Sequence, residues 1–299
     1  MPQRQIWIAP AERNGDGALG CFAPLTLKPF KSGAIQSGVA AAALQMLNFA
    51  IQTARDAGRL LAERVGRITQ VSHKSEIELL TEVDLASERL IIDRIKNYYP
   101  RHSILAEESG EISVAESSEW KWIIDPLDGT TNYAHSYPVF CVSIALEHNG
   151  AIELGIIYDP MRDEMFSAER GRGAALNDRR IQVSQINSLN QAMVCTGFPY
   201  DLPGRVEATR LMADFVVNGQ AVRRDGSAAL DLAYVACGRF EGFWEIGLRP
   251  WDVAAGVLMV EEAGGRVTNF KGQPFDIYHP PILASNGFVH EQMLATLAV

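Results

Sequence analysis

Residues 120–133 read Trp-Lys-Trp-Ile-Ile-Asp-Pro-Leu-Asp-Gly-Thr-Thr-Asn-Tyr, and few folds can house that order. The apolar residues 120–124 read as a short buried strand. Two carboxylates three positions apart follow it, Asp125 and Asp128, with Pro126 stiffening a turn just past the strand end. Magnesium prefers oxygen ligands and takes a few carboxylates alongside water and phosphate. Asp125, Asp128 and the Leu127 carbonyl offer three oxygens from one turn. The other reading of D-x-x-D is a solvated turn that caps a helix. Gly129-Thr130-Thr131 then supplies small side chains, hydroxyls and backbone amides at a helix start, an arrangement that suits an anion. A metal beside a phosphate cradle points to hydrolysis of a phosphate ester.

The rest of the chain can support such a site. Its 299 residues allow one large or two modest domains. A net charge of −9 argues against a general nucleic-acid or membrane-surface binder. The four cysteines, Cys21, Cys141, Cys195 and Cys237, are scattered without a C-x-x-C pair, so neither a zinc spacing nor a disulfide framework is expected, and a reducing, cytoplasmic setting is. The longest apolar run, 39–51, falls short of the roughly 18 residues of a membrane span and reads as the start of a helix.

Residues 1 to about 38 have no sustained period and look like a poorly ordered extension, which places a boundary near 44 and a native start near Met46. Periodicity predicts helices over 46–65 and 84–98. Strands are expected over 139–147 and 152–158, joined by the hairpin dipeptide Asn149-Gly150, and then over 164–168, with Gly171-Arg172-Gly173 as a turn. Further on, the pattern gives helices over 226–236 and 252–263, a strand over 240–246, short strands at 267 and 282–284, and a last helix over 291–297. The sum is a layered α/β protein with antiparallel sheet content.

Other acidic positions are weak singly. Glu107-Glu108 follows a short apolar segment and reads as a loop; Asp252 precedes an apolar helix and reads as a cap; Asp84 sits at a helix entry. Serine or cysteine hydrolase chemistry lacks support, since the six histidines are dispersed and no G-x-S-x-G elbow occurs. No Walker A sequence is present either.

Taken in order, Glu82-Val83-Asp84, Glu107-Glu108-Ser109-Gly110, residues 125–133 and Trp251-Asp252-Val253-Ala254-Ala255-Gly256 make the chain resemble the inositol monophosphatase family of lithium-sensitive, magnesium-dependent phosphatases. Gly226-Ser227-Ala228-Ala229-Leu230-Asp231 and Phe243-Trp244-Glu245 add to the match, which runs from about residue 45 to 299 and leaves 1–44 as an extension. The resemblance implies a layered αβαβα sandwich of the inositol monophosphatase/fructose-1,6-bisphosphatase type, commonly a homodimer. It implies one Mg2+ held by Glu107, Asp125 and the Leu127 carbonyl, a second held by Asp125, Asp128 and Asp252, and a third, weaker site on Glu107. Asp84 and Thr130 would activate water, with Glu108 as a supporting carboxylate. The Gly129 and Thr130 amides would receive phosphate, and Ser227, Ala228 and Glu245 would contact the alcohol. The implied substrate is inositol monophosphate or a related polyol phosphate. Fructose 1,6-bisphosphate, histidinol phosphate and 3′-phosphoadenosine nucleotides are rivals, and a non-enzymatic regulatory protein on the same fold is the alternative. Asp225 adds a negative charge that the family pattern does not call for; Arg223 or Arg224 is its expected partner.

Overall fold

The computed structural model describes residues 37–67, 71–73, 78–114 and 118–298. Helix α1 (Ser37–Arg64) leads to a small hairpin of β1 (Val71–His73) and β2 (Leu79–Thr81), then to α2 (Glu82–Tyr98). An eight-stranded sheet follows, built from β3 (Ser103–Ala106), β4 (Gly110–Ile112), β5 (Trp120–Asp128), β6 (Cys141–His148), β7 (Ala151–Asp159), β8 (Glu164–Glu169), β9 (Gly173–Leu176) and β10 (Arg179–Arg180). The short α3 (Thr130–Ala134) is inserted after β5. The last part alternates: β11 (Met193–Thr196), α4 (Leu202–Asn218), β12 (Ala221–Arg223), α5 (Ala228–Ala236), β13 (Gly242–Glu245), α6 (Pro250–Glu262), β14 (Arg266–Thr268), β15 (Ile282–Ser285) and α7 (His290–Leu297). Its strands form a five-stranded sheet in the order β12-β11-β13-β15-β14.

Strand alternation decides which helix each sheet face meets. Trp122 and Ile124 of β5 pack with Ala54, Ala57 and Leu61 of α1 and with Ile91 and Ile95 of α2. Ile123 points the other way, into a core shared with Leu232 of α5 and Ala255 and Leu258 of α6. That core continues to Cys195, Phe243 and Ala284 on the near face of the five-stranded sheet. The far face carries Val194, Trp244 and Leu283 against Phe215 of α4 and Met293 of α7. The layers therefore run α1/α2, sheet, α5/α6, sheet, α4/α7, the expected αβαβα order.

The central helices bear the mark of that position. Every residue of α5 is buried, as a helix enclosed by two sheets requires. Helix α6 is wedged so tightly that a Cβ on Gly155 of β7 would stand 2.7 Å from the Ala255 carbonyl oxygen, and one on Gly256 would stand 2.5 Å from Leu232.

Several expectations change in detail. The first helix begins at Ser37, not Met46; alanine is the best helix former, and the alanine-rich 40–43 carries the helix upstream. Residues 1–36 of the expected extension, and any start within them, lie outside the described residues. The Asn149-Gly150 hairpin is as expected, with φ of 49° and 82°, the paired left-handed values of the tight hairpin turn. Helix α4 was not foreseen, although Asp201 caps it through the Gly204 amide at 2.7 Å. Among the described residues, no helix is long and apolar enough to cross a membrane.

Candidate active site

The Asp125–Asp128 pair is not in a turn beyond the strand, as the sequence suggested, because β5 continues through Asp128. Its register with β6 runs evenly to Asp125↔Ser143 and then shifts to Asp128↔Cys141. Three steps on β5 therefore match two on β6, which is a one-residue bulge. In a regular strand, residues three apart face opposite sides. The extra residue cancels that alternation and brings Asp125 and Asp128 to the same face. Pro126, which cannot donate to a ladder, is tolerated at such a bulge. Gly129 then takes φ of 98° as the cap of α3, and a Cβ there would stand 2.9 Å from the Val139 carbonyl oxygen. Conformation and space both demand glycine.

Strand β3 runs parallel to β5 with Ala106 beside Ile124. The next residues, Glu107 just past the end of β3 and Asp125 within β5, stand side by side, and their carboxyls lie within hydrogen-bonding reach. Asp252 arrives from the first turn of α6, where its Oδ2 accepts from the Arg249 amide at 2.6 Å. Asp128 is approached by the N-terminus of α5: its Oδ2 accepts from the Ser227 hydroxyl and from the Ala229 amide, both at 2.7 Å. Asp84 accepts from the Thr81 amide at 2.9 Å and, through Oδ1, from the Thr130 hydroxyl at 2.9 Å.

Glu107, Asp125, Leu127, Asp128, Gly129, Thr130, Glu245 and Asp252 all line one cavity of about 530 Å³. Burial is the first cause of the high carboxyl pKa values here, and mutual repulsion adds to it. Asp125 is held well above the usual range by burial and by the charges of Glu107, Asp128 and Asp252. Asp252 is likewise held well up by burial and then by Asp128 and Glu107. Asp128 reaches about 6, since burial outweighs its bonds from Ser227 and Ala229. Glu245 is pushed up to about 8 by burial, against the opposing charge of Arg224. Such a set is unfavourable when fully ionised and bare, and a cation relieves it.

Among the described residues, no three acidic, histidine or cysteine side chains already close around one point. Asp125 lends an oxygen to the Leu127 amide at 2.9 Å, and Asp128 and Asp252 lend theirs as described. The chemistry of the set nonetheless suits a hard divalent cation, being oxygen-only, acidic and concentrated on one wall.

Four expected residues stand off the cavity wall. Ser227 and Ala228 lie behind Asp128, because the cap of α5 is directed at that carboxylate rather than at the cavity. Glu108 is not on the cavity wall; its backbone amide is turned to Glu88 Oε2 at 2.8 Å. Asp84 reaches the cavity only through Thr130. Asp225 is half-buried outside it, with Arg223 as its strongest favourable charge, and its carbonyl accepts from Asn132. The opposite rim was missed altogether. Phe198, Pro199, Tyr200 and Asp201 form it, together with residues 246–249 and Trp251. Gly197 was missed as well: a Cβ there would stand 2.2 Å from the Glu245 carboxyl. The Gly-Phe-Pro-Tyr-Asp run between a strand and a helix cap was the available signal.

The family model of the inositol monophosphatase family matches residues 43–299. The chain belongs to the inositol monophosphatase family. Nus factor SuhB of Escherichia coli (strain K12) is 45% identical over 255 residues, covering 84% of this chain and 95% of that protein. Inositol-1-monophosphatase of Synechocystis sp. is 43% identical over 254 residues, covering 84% and 88%. Among solved structures, the extragenic suppressor protein suhB of Bartonella henselae superposes with a TM-score of 0.81 at 42% identity, covering 85% of this chain and 98% of that one. Phosphatase activity belongs to the inositol monophosphatase family as a whole, while relatives of nearly equal similarity carry two different names.

Proposed function

We propose that the protein is a magnesium-dependent phosphomonoesterase that hydrolyses inositol monophosphate, or a similar small polyol phosphate, to the alcohol and inorganic phosphate. The observation that carries this reading is the convergence of Glu107, Asp125, Asp128 and Asp252 on one cavity whose wall also holds Thr130 backed by Asp84. Glu107, Asp125, Asp128, Asp252 and the Leu127 carbonyl would hold Mg2+, whose chemistry there is to acidify water and neutralise phosphoryl charge.

The chain's own residues supply the rest. The Thr130 hydroxyl donates to Asp84, which leaves its lone pairs free to accept from an attacking water. Burial holds the Asp84 pKa above its usual value, so its carboxylate is a better resting place for that proton. The first-turn amides of α3, at Gly129 and Thr130, lack intrahelical partners and would receive phosphate oxygens. Glu245, on the facing wall, accepts hydroxyls of the alcohol. Water attacks phosphorus directly, with no phospho-aspartate.

The phosphatase unit spans 45–299, with 1–44 as an extension. Family resemblance supports lithium sensitivity, a homodimer and a cytoplasmic setting. The test is phosphate release from inositol monophosphate, fructose 1,6-bisphosphate, histidinol phosphate and 3′-phosphoadenosine nucleotides, each with Mg2+, with chelator and with Asp125→Asn. Release that needs Mg2+ and is lost in the variant supports the site, and the preferred substrate names the enzyme. Release unaffected by chelator sinks it.

The Nus factor name carried by several relatives supports a second reading, a non-enzymatic binding role on this fold. Recovery of a stoichiometric partner with the Asp125→Asn variant supports that role, and recovery of none counts against it.

A further inference from the structure

The cavity's acidic wall is carried by strands, yet much of its position is set from α2. Three side chains on one face of that helix, at 84, 87 and 88, reach three separate pieces of the site. Asp84 holds the Thr130 hydroxyl. Ser87 donates to the Pro126 carbonyl in the bulge at 2.8 Å. Glu88 accepts from the Glu108 amide through Oε2 at 2.8 Å and from the Ser109 hydroxyl through Oε1. The first two contacts belong to the water-activating pair and to the bulge, but Glu88 has no place in the chemistry derived above.

Glu88 is only 2% exposed. Burying a carboxylate is costly unless its oxygens are satisfied, and both of its hydrogen-bond donors lie on the segment just after Glu107. That segment is the turn between β3 and β4, whose ends pair at Ala106 and Gly110, and the Glu107 amide makes a long bond of 3.3 Å to the Ile124 carbonyl. Glu107 also stands within hydrogen-bonding reach of Asp125, and their like charges oppose joint ionisation. With Glu88 removed, the turn keeps its hairpin pairing but loses the two side-chain hydrogen bonds that aim its first residues.

We infer that Glu88 is a positioning residue for metal binding: by gripping the Glu108 amide and the Ser109 hydroxyl, it fixes the direction in which Glu107 leaves β3, and so sets how tightly the carboxylate set takes a divalent cation. This rests on the proposed magnesium-dependent reading of the site. Groups that orient metal ligands without touching the ion typically contribute about 10–100-fold in affinity.

The experiment is calorimetric titration of Mg2+ into the full-length wild type, Glu88→Ala, Glu88→Gln, Ser109→Ala and, as reference, Asp125→Asn, with metal-free melting curves for each. Glu88→Ala binds Mg2+ about 10–100-fold more weakly, while its turnover at saturating Mg2+ stays within about 3-fold of wild type. Glu88→Gln keeps an oxygen for the Glu108 amide and can donate to Ser109, so it stays within about 3-fold of wild type, while Ser109→Ala loses one hydrogen bond and about 3-fold in affinity. A folded Glu88→Ala with wild-type affinity and only a lower melting temperature would overturn the inference and make the residue purely structural. If Glu88→Ala does not fold, Ser109→Ala decides: unchanged affinity overturns the inference. A wild type that binds no Mg2+, or binds it no better than Asp125→Asn, overturns the reading of the site itself and this inference with it.

Discussion

The two walls of the cavity are built on different principles. The acidic wall comes from the ends of two adjacent strands, a bulge and the first turn of α6, and each carboxylate is fixed by backbone register or by a short hydrogen bond. The facing rim, 197–201 and 245–249, comes from loops that leave the five-stranded sheet, and it is fixed by fit. The Glu245 carboxyl lies against Gly197, and Pro199 packs against Gly204 and Gly247. One wall is positioned by bonds that tolerate almost no change, the other by side-chain volumes that can be exchanged. In the proposed function the first does the chemistry and the second chooses the alcohol.

Asp125→Asn is the strongest way to break the first wall. In the proposed function Asp125 is a metal ligand, and its loss removes several kcal/mol of transition-state stabilisation, on the order of a 10³-fold fall in kcat. The same change removes a carboxyl whose ionisation is opposed by burial and by its neighbours, so the metal-free variant should melt higher than wild type at pH 8. Phosphate-release assays and calorimetry check the two opposite directions, and a variant that is both active and unchanged in melting refutes them.

Gly197→Ala attacks the second wall. Its methyl group displaces the Glu245 carboxyl, and loss of its hydrogen bond to the substrate corresponds to about 3–10-fold in KM for a polyol phosphate. Its Mg2+ affinity should match wild type. Equal damage to both quantities would mean that the walls are not separable.

Proton linkage gives a smaller effect. Asp128 and Glu245 have folded pKa values of about 6 and about 8, both raised from the ordinary carboxylate range. The stability they contribute is therefore complete below about pH 4 and lost as pH rises through 6 and then 8. Chelated protein should lose melting temperature across that window, and Mg2+-saturated protein should lose less. A chelated protein whose melting point is flat from pH 5 to 8.5 would contradict the burial argument.

Least of all, Tyr200→Phe removes the rim hydroxyl bonded to Thr131, and a single neutral hydrogen bond corresponds to about 3-fold in KM. No change in turnover at saturating substrate is expected.

The walls differ in the same way in how far they can be read from sequence. Asp125, Asp128, Gly129 and Thr130 sit within six residues of one another, and their residue types announce oxygen ligands and an anion cradle. Even so, the bulge that brings the two aspartates to one face is invisible, since it is defined by where Cys141 and Ser143 fall on the partner strand. The Asn149-Gly150 hairpin was legible because the dipeptide itself has the needed left-handed freedom. Glu88 was not, because a glutamate in a helix reads as a solvated face until the segment 20 residues later is seen to close over it. Ser227 was assigned to the alcohol on resemblance, and only the position of Asp128 reveals what its hydroxyl serves. The rim was missed because fit across a cavity leaves no local pattern.

The wedge of α6 between Gly155 and Leu232 has a consequence for descent. Asp252 rides on a helix whose backbone touches the neighbouring strand, so the acidic cluster can scarcely be tinkered with piece by piece. Novelty has to enter through the loops opposite. A lineage built on such a frame would inherit its reaction and acquire its substrates.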